Sequence, residues 1–433
     1  MARGSSRVEP REHGLASLTG REAVKFSSGV LVGRVESAAG RGVDHMQQDA
    51  GIVKDNPRQG ILARYREWLP VPAGAEPLTL GEGDTPLIRA DRLLEQLPPD
   101  RRPPGLFLKF EGANPTGSFK DRGMTMALTC ARARGAQAVI CASTGNTAAA
   151  AAAYAARAGM ECWLVLPAGG VAAGKVGQAV ACGARILPVR GSFDDALAAV
   201  RQVVTERPDL VLVNSLNPDR LEGQKTAAFE VVDQLAARGE DEPAAVFLPV
   251  GNGGNITAYH MGFATYAAAG RLGRLPRLYG VQAEGAAPLV RGRPVDRPQT
   301  VASAIRIGRP VYGDRALAAV RETGGRVLAV SDEEILVAQR LLARLEGVFV
   351  EPASAASVAG LLKLARGDEP GWEVPEGPVV CVLTGHGLKD VDTALRAARS
   401  GDAGSADLAA LEAEALEPDA IVQRLLSVPA GGQ

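Results

Sequence analysis

Short apolar runs alternate with helical patterns through the middle of this chain, and few folds accommodate that rhythm. Ala138-Val-Ile-Cys-Ala142, Cys162-Trp-Leu-Val-Leu166, Leu210-Val-Leu-Val213, Ala245-Val-Phe-Leu-Pro-Val250, Leu278-Tyr-Gly-Val281 and Val379-Val-Cys-Val-Leu383 read as buried strands. Helical spacing follows most of them, over 147–158, 174–182, 194–205, 223–237 and 255–269. Strands separated by helices imply parallel sheets with helices covering their faces. Ligands in such folds bind beyond the carboxyl ends of the strands. The polar motifs of the chain fall there.

Composition narrows the class further. At 433 residues and 46% hydrophobic, the chain can build two or three domains around substantial cores. Lys+Arg and Asp+Glu number 48 and 49, a balance that argues against nucleic acid or an acidic membrane as partner. Four histidines and five widely spaced cysteines (Cys130, Cys141, Cys162, Cys182, Cys381) leave little for a metal site and suggest reduced thiols. The uncharged stretch 135–156 is too polar to cross a membrane, and the N-terminus lacks a signal peptide's apolar run. The expectation is a soluble, cytoplasmic enzyme. Its first 45 residues lack periodicity and read as a mobile extension, with Met46 as an alternative start, whereas the acidic, Ala-rich end carries a helical patch over 407–416.

Four segments carry chemistry. Glu111-Gly-Ala-Asn-Pro-Thr-Gly-Ser-Phe-Lys-Asp-Arg-Gly123 delivers Lys120 to the start of a helix, where backbone dipoles favour loss of its proton and hence imine formation; taken alone, it reads first as a solvated lysine. Ala142-Ser-Thr-Gly-Asn-Thr147 joins a strand to an Ala-rich helix, with more small polar residues than a helix cap needs. Pro249-Val-Gly-Asn-Gly-Gly-Asn255 allows a nest of N–H groups around a phosphate, or a plain glycine turn; Ile256 breaks the dinucleotide pattern. Leu383-Thr-Gly-His-Gly-Leu-Lys-Asp390 offers the Thr384 hydroxyl to a ring nitrogen, while His386 reads first as a structural hydrogen-bonding residue. Gly169-Gly-Val-Ala-Ala-Gly-Lys-Val176 mimics a nucleotide loop but has Val176 where the magnesium-binding hydroxyl belongs.

An imine-forming lysine, a phosphate nest and a hydroxyl for a pyridine nitrogen together suit pyridoxal 5'-phosphate. Asn114-Pro-Thr-Gly-Ser-Phe-Lys-Asp-Arg-Gly123 resembles the lysine segment of pyridoxal-phosphate enzymes of the tryptophan-synthase-β fold. Among these the chain is most similar to bacterial threonine synthases, from Gly81-Glu-Gly-Asp-Thr-Pro-Leu-Ile88 to Asp390, and includes Gly174-Lys-Val-Gly-Gln178 and Glu351-Pro-Ala-Ser-Ala355. Asn214-Ser-Leu-Asn-Pro-Asp-Arg-Leu-Glu-Gly-Gln-Lys-Thr226 is the stretch most particular to them.

The resemblance implies pyridoxal-phosphate fold type II: two open twisted α/β domains with the cofactor in the cleft between them. The expected division is an extension (1–60), a larger domain (61–124 and 221–400), a smaller domain (125–220) and an acidic helical tail (401–433). Lys120 would be the Schiff-base lysine and proton shuttle. Asn146 would bond the cofactor's phenolic oxygen, Gly251, Asn252, Gly253, Gly254 and Asn255 its phosphate, and Thr384 its pyridine nitrogen. O-phospho-L-homoserine, the implied substrate, would meet Ser143, Thr144, Thr147, Asn214, Ser215 and Arg220. Loss of phosphate from Cγ and addition of water at Cβ would give threonine, with released phosphate on Arg220 as base for the water. A homodimer is implied. A serine/threonine dehydratase would share Lys120 and the nest but needs no second phosphate site, and Thr384 separates cysteine or cystathionine β-synthases only weakly. A non-catalytic binding protein on this fold would be expected to lose Lys120 or the phosphate residues.

Overall fold

A computed structural model of the chain describes residues 59–168, 173–191 and 193–399. The extension up to residue 58, the start at Met46, the 407–416 patch and the first half of the nucleotide-loop mimic (169–172) lie outside the described residues. Among them, ten strands form two sheets.

The first sheet comprises β1 (Leu87–Arg89) and β2 (Leu106–Phe110), then β7 (Ala245–Pro249), β8 (Arg277–Ala283), β9 (Arg326–Val330) and β10 (Val379–Leu383). Its order is β1-β2-β10-β7-β8-β9, and only β1 runs antiparallel to its neighbour. Cys381 pairs with Leu108 on one side and Phe247 on the other, so β10 lies centrally. Both faces are buried, and alternation assigns the residues. Val246, Leu248, Val380 and Val382 enter one core cluster, while Ala245, Phe247, Val379 and Cys381 enter the other.

The second sheet holds β3 (Ala138–Cys141), β4 (Glu161–Pro167), β5 (Arg185–Val189) and β6 (Leu210–Leu212), all parallel, in the order β5-β4-β3-β6. The chain winds outward from β3 to β5 and then returns to the far side of β3. The reversal between β3 and β6 opens a crevice beyond their carboxyl ends, as parallel sheets do at a switch point. That crevice receives Ala142–Thr147 and Val213–Ser215.

Helices cover both sheets, beginning with α1 (Lys120–Ala133), α2 (Asn146–Ala158), α3 (Ala173–Ala181), α4 (Phe193–Glu206), α5 (Asp219–Ala236) and α6 (Gly254–Ala268). They continue with α7 (Gly313–Glu322), α8 (Asp332–Glu346) and α9 (Pro352–Arg366). In α2, alanines at 148–152 and at 155 are buried, which lets the helix lie close on its sheet. Glycine does the same where α1, α5 and α6 cross: a Cβ on Gly223 would overlap the Arg122 carbonyl, and one on Gly262 the Lys225 carbonyl. Helix α5 begins four residues before the expected 223, because Asn217 accepts the Asp219 N–H at 3.0 Å and Pro218 precedes the first turn. Arg220 therefore sits in a helix's first turn.

Beneath α1 and α5 lies a sealed ionic cluster. Arg122 donates to Glu111 at 2.7 and 2.8 Å and to Glu230 at 2.7 and 2.6 Å, and Lys109 donates to Glu230 at 2.8 Å. All four charged side chains are fully enclosed. Burial alone would raise the Glu230 carboxyl, but Arg122 and Lys109 reverse that and hold it well below the usual carboxylate range. The Gly81–Ile88 segment wraps this cluster, with the Asp84 and Thr85 N–H groups donating to Glu230. No disulfide forms, and four of the five cysteines are buried. No helix among the described residues is long and apolar enough to cross a membrane.

Candidate active site

The carboxyl ends of both sheets converge on one cavity of about 370 Å³. Every residue given a cofactor or substrate role in the sequence lines it: Lys120, Ser143, Thr144, Asn146, Thr147, Asn214, Ser215, Arg220, Gly251–Asn255 and Thr384.

Lys120 opens α1 and is preceded by a loop stitched to the segment after β10. Phe119 N–H donates to the Thr384 carbonyl at 3.0 Å, His386 N–H donates to the Gly117 carbonyl at 2.9 Å, and Ser118 bridges Gly385. The lysine and the threonine hydroxyl therefore enter the cavity as one unit. Lys120 Nζ lies 3.9 Å from the Phe119 ring centroid and opens only into the cavity. Its pKa falls to about 7, chiefly because burial disfavours the charged form and secondarily because Arg220 is near; Glu351 opposes both. The direction matches the sequence reading, but desolvation is the leading cause in place of the helix start.

The turn from β3 to α2 keeps its hydroxyls free of capping duty. Gly145 is the N-cap of α2 and no side chain caps it. Ser143 accepts only a long contact from the Gly145 N–H at 3.4 Å, leaving Ser143, Thr144 and Thr147 to face the cavity. Asn214 differs from expectation in how much of it is already engaged. Its Oδ1 accepts the Ala142 N–H and its Nδ2 donates to the Ala142 carbonyl, both at 2.8 Å, prolonging the β3–β6 pairing through a side chain. One amide hydrogen remains to meet a ligand.

After β7, the chain turns through Gly251–Asn255 into α6. Gly253 has φ of 79°, and a Cβ there would come within 2.7 Å of the Tyr312 carbonyl. Asn252 is tied down through its carbonyl, which accepts the Tyr312 N–H at 2.9 Å. The result is a tight backbone cradle at the start of a 15-residue helix, with Asn255 Nδ2 buried and unpartnered. That is the donor set a phosphate needs.

Arg220 comes from the opposite wall. It is 2% exposed, donates to the Val213 carbonyl at 3.1 Å, and leaves a buried Nε without a partner. No carboxylate among the described residues pairs with it. Four basic side chains (Lys120, Arg220, Arg306, Lys389) line the cavity against one carboxylate, Glu351. Such a wall is built for a polyanion.

Several lining residues carried no assigned role in the sequence, including Gln178, the 303–307 loop, Tyr312, Lys389 and Glu351. Glu351, Gln178 and Lys389 had a signal, since they fall in the 351–355, 174–178 and 383–390 segments that stood out without a purpose assigned to these side chains. His386 is absent from the lining. Its Nδ1 accepts the Leu388 N–H at 3.1 Å and its ring lies between Phe110 and Phe349, the structural place expected of it. Among the described residues no cluster could hold a metal.

The matches with known proteins point the same way. Residues 78–385 match the family model described as pyridoxal-phosphate dependent enzyme. Threonine synthase of Mycobacterium leprae is 56% identical over 340 residues, covering 78% of this chain and 91% of that protein. Threonine synthase of Synechocystis is 54% identical over 339 residues, covering 78% and 85%. In fold, maize serine racemase superposes with a TM-score of 0.62 at 22% identity, covering 77% of this chain and 93% of that one. The unpartnered N–H groups of Asn255 and Arg220, and a lysine with lowered basicity between them, fit pyridoxal 5'-phosphate and a second anion. The chain belongs to the threonine synthase family of pyridoxal-phosphate-dependent enzymes.

Proposed function

We propose that this chain converts O-phospho-L-homoserine and water to L-threonine and phosphate, by γ-elimination followed by β-hydration, as the last step of threonine biosynthesis. The observation that carries the reading is Arg220: a buried guanidinium with a free Nε and no acidic partner among the described residues, facing the same cavity as Lys120. A cation is left so only where a ligand completes it. A β-eliminating relative needs the lysine and the nest but has no use for this second anion site.

Pyridoxal phosphate supplies the electron sink that acidifies substrate hydrogens at Cα and Cβ. The side chains do the rest. The Gly251–Asn255 cradle would take the cofactor's phosphate, Asn146 its phenolic oxygen, and Thr384 its pyridine nitrogen. Lys120, with a pKa of about 7, is neutral often enough near pH 7 to accept a proton and basic enough to return it. Arg220 would hold the substrate's phosphate, helped by the remaining Asn214 hydrogen, Ser215 and Thr147, while Ser143 and Thr144 orient the carboxylate. With phosphate retained on Arg220 after it leaves Cγ, a base lies ready for the incoming water.

The four-stranded sheet and its helices support a smaller domain over 125–220, set into a larger one from 61–124 and 221–400, with 1–60 and 401–433 as extensions. A homodimer in the cytoplasm, without nucleic-acid or membrane partners, fits the balanced charge. The test is to incubate the holoenzyme with O-phospho-L-homoserine and follow phosphate and threonine together. Equal release supports the synthase; phosphate with 2-oxobutyrate, or no phosphate at all, rules it out.

A further inference from the structure

The first turn of α9 stands behind the cavity wall and reaches residues from both sheets. Ser354 Oγ lies 3.1 Å from Thr384 Oγ1 and accepts the Gly385 N–H at 2.7 Å. Three residues earlier, Glu351 meets Asn146. The Asn146 amide nitrogen donates to both carboxylate oxygens, at 2.9 and 3.2 Å, and no other described side chain or backbone group bonds that amide. The carboxylate is wedged between this amide and the backbone, because a Cβ on Gly385 would overlap it. The Glu351 N–H in turn donates to the Gly385 carbonyl at 3.1 Å.

A side-chain amide can face a neighbour with either its nitrogen or its oxygen. An ionised carboxylate accepts but cannot donate, so it admits only the nitrogen. Ionised, as it is above about pH 7, Glu351 removes the two-fold ambiguity of Asn146 and leaves the second amide hydrogen to meet a ligand. Orientation matters there, because a phenolic oxygen calls for a donor, and the flipped amide would offer a lone pair. A carboxylate is an expensive way to fill this space: burial, with a small push from Asp390, outweighs the pull of Asn146, Lys389 and Lys120 and leaves it at about 7. An apolar side chain would fill it at lower cost.

We propose that Glu351 is a positioning residue, which acts through Asn146 by locking the direction in which that amide presents its N–H to the cofactor. This rests on the reading of Asn146 as a cofactor contact, and the experiment separates the two. Full-length holoenzyme carrying Glu351→Gln, Asn146→Ala or both is dialysed at about pH 8.5, where Glu351 is ionised, against graded pyridoxal phosphate, and the bound fraction is read from the cofactor's absorbance. Gln keeps the volume but can donate as well as accept, so the amide is no longer fixed. Glu351→Gln should weaken retention about tenfold, the scale of one charge-assisted hydrogen bond. On the Asn146→Ala background the same change should cost less than about twofold, because neighbours acting through one contact are not additive. An equal loss in both backgrounds, or no loss in either, overturns the proposal. Retention unchanged by Asn146→Ala alone overturns the reading of Asn146, and the proposal with it. Glu351→Asp keeps an acceptor-only group and should retain more cofactor than Gln; the reverse order would show that volume matters and direction does not. If Glu351→Gln does not accumulate as folded protein, the comparison is made with Glu351→Asp across the same two backgrounds.

Discussion

The lowered basicity of Lys120 makes a quantitative prediction about how the chain captures its cofactor. Only the neutral amine attacks an aldehyde. With a pKa of about 7 instead of 10.5, the neutral fraction at pH 7.5 is about three quarters instead of roughly one in a thousand, a difference of about 700-fold. The rate at which cofactor-free chain takes up pyridoxal phosphate should climb from pH 5.5, bend near 7 and level off above 8, as followed by stopped-flow absorbance. Two substitutions must move the bend in opposite directions. Arg220→Gln removes a neighbouring cation that favours the neutral amine, so the bend should move up. Glu351→Gln removes the charge that favours the ammonium, so it should move down. A rate still rising steeply at pH 9.5, or both variants moving the bend the same way, would refute the account of Lys120 as a desolvated amine between two opposing charges.

Other consequences are as direct. Gly223→Ala drives a methyl into the Arg122 carbonyl and should cost about 1–3 kcal/mol as α1 and α5 separate, read as a lower melting temperature; an unchanged melt would deny the close crossing. Arg122→Met leaves Glu111 and Glu230 facing each other without their shared cation, at about 3–5 kcal/mol in denaturant unfolding, and adding Glu111→Gln should recover part of it. A loss below about 1 kcal/mol would mean that the cluster is not as drawn. Arg220→Gln should lower kcat/KM for the phosphorylated substrate by about 10- to 150-fold while the holoenzyme keeps its cofactor, matching the loss of one or two charge-assisted hydrogen bonds. Loss of cofactor instead would place Arg220 in the wrong half of the cavity.

The central strands were legible because burial on both faces demands unbroken apolar runs, and β3, β4, β7, β8 and β10 have them. The strands that escaped notice break that rule for identifiable reasons. Strand β2 carries Lys109, whose charge is cancelled by a residue 121 positions away, a pairing that no local window can see. Strand β5 lies at a sheet edge, is largely exposed and contains Pro188, which has no N–H to give to a ladder. Site residues were legible where a turn follows a strong strand, as at 142–147 and 249–255. Glu351 was not, since its meaning depends on Asn146, which faces it from the other sheet, 205 residues away. The start of α5 was misplaced because Arg220 and Gln224 are polar but buried, so they blur the apolar stripe that marks a helix.

The ionic cluster under α1 has a consequence for direction. Residues 120 and 122 stand about 200° apart around a helix axis, so Arg122 points into the protein where Lys120 points into the cavity. Turning α1 by a single residue, about 100°, would pull the guanidinium off two enclosed carboxylates with nothing to replace it. The cluster therefore acts as a keyway: it permits one rotational setting of the helix and aims the reactive amine from behind. Side chains that no ligand can reach, Lys109, Glu111 and Glu230 among them, thus belong to the optics of the site as much as to its foundations.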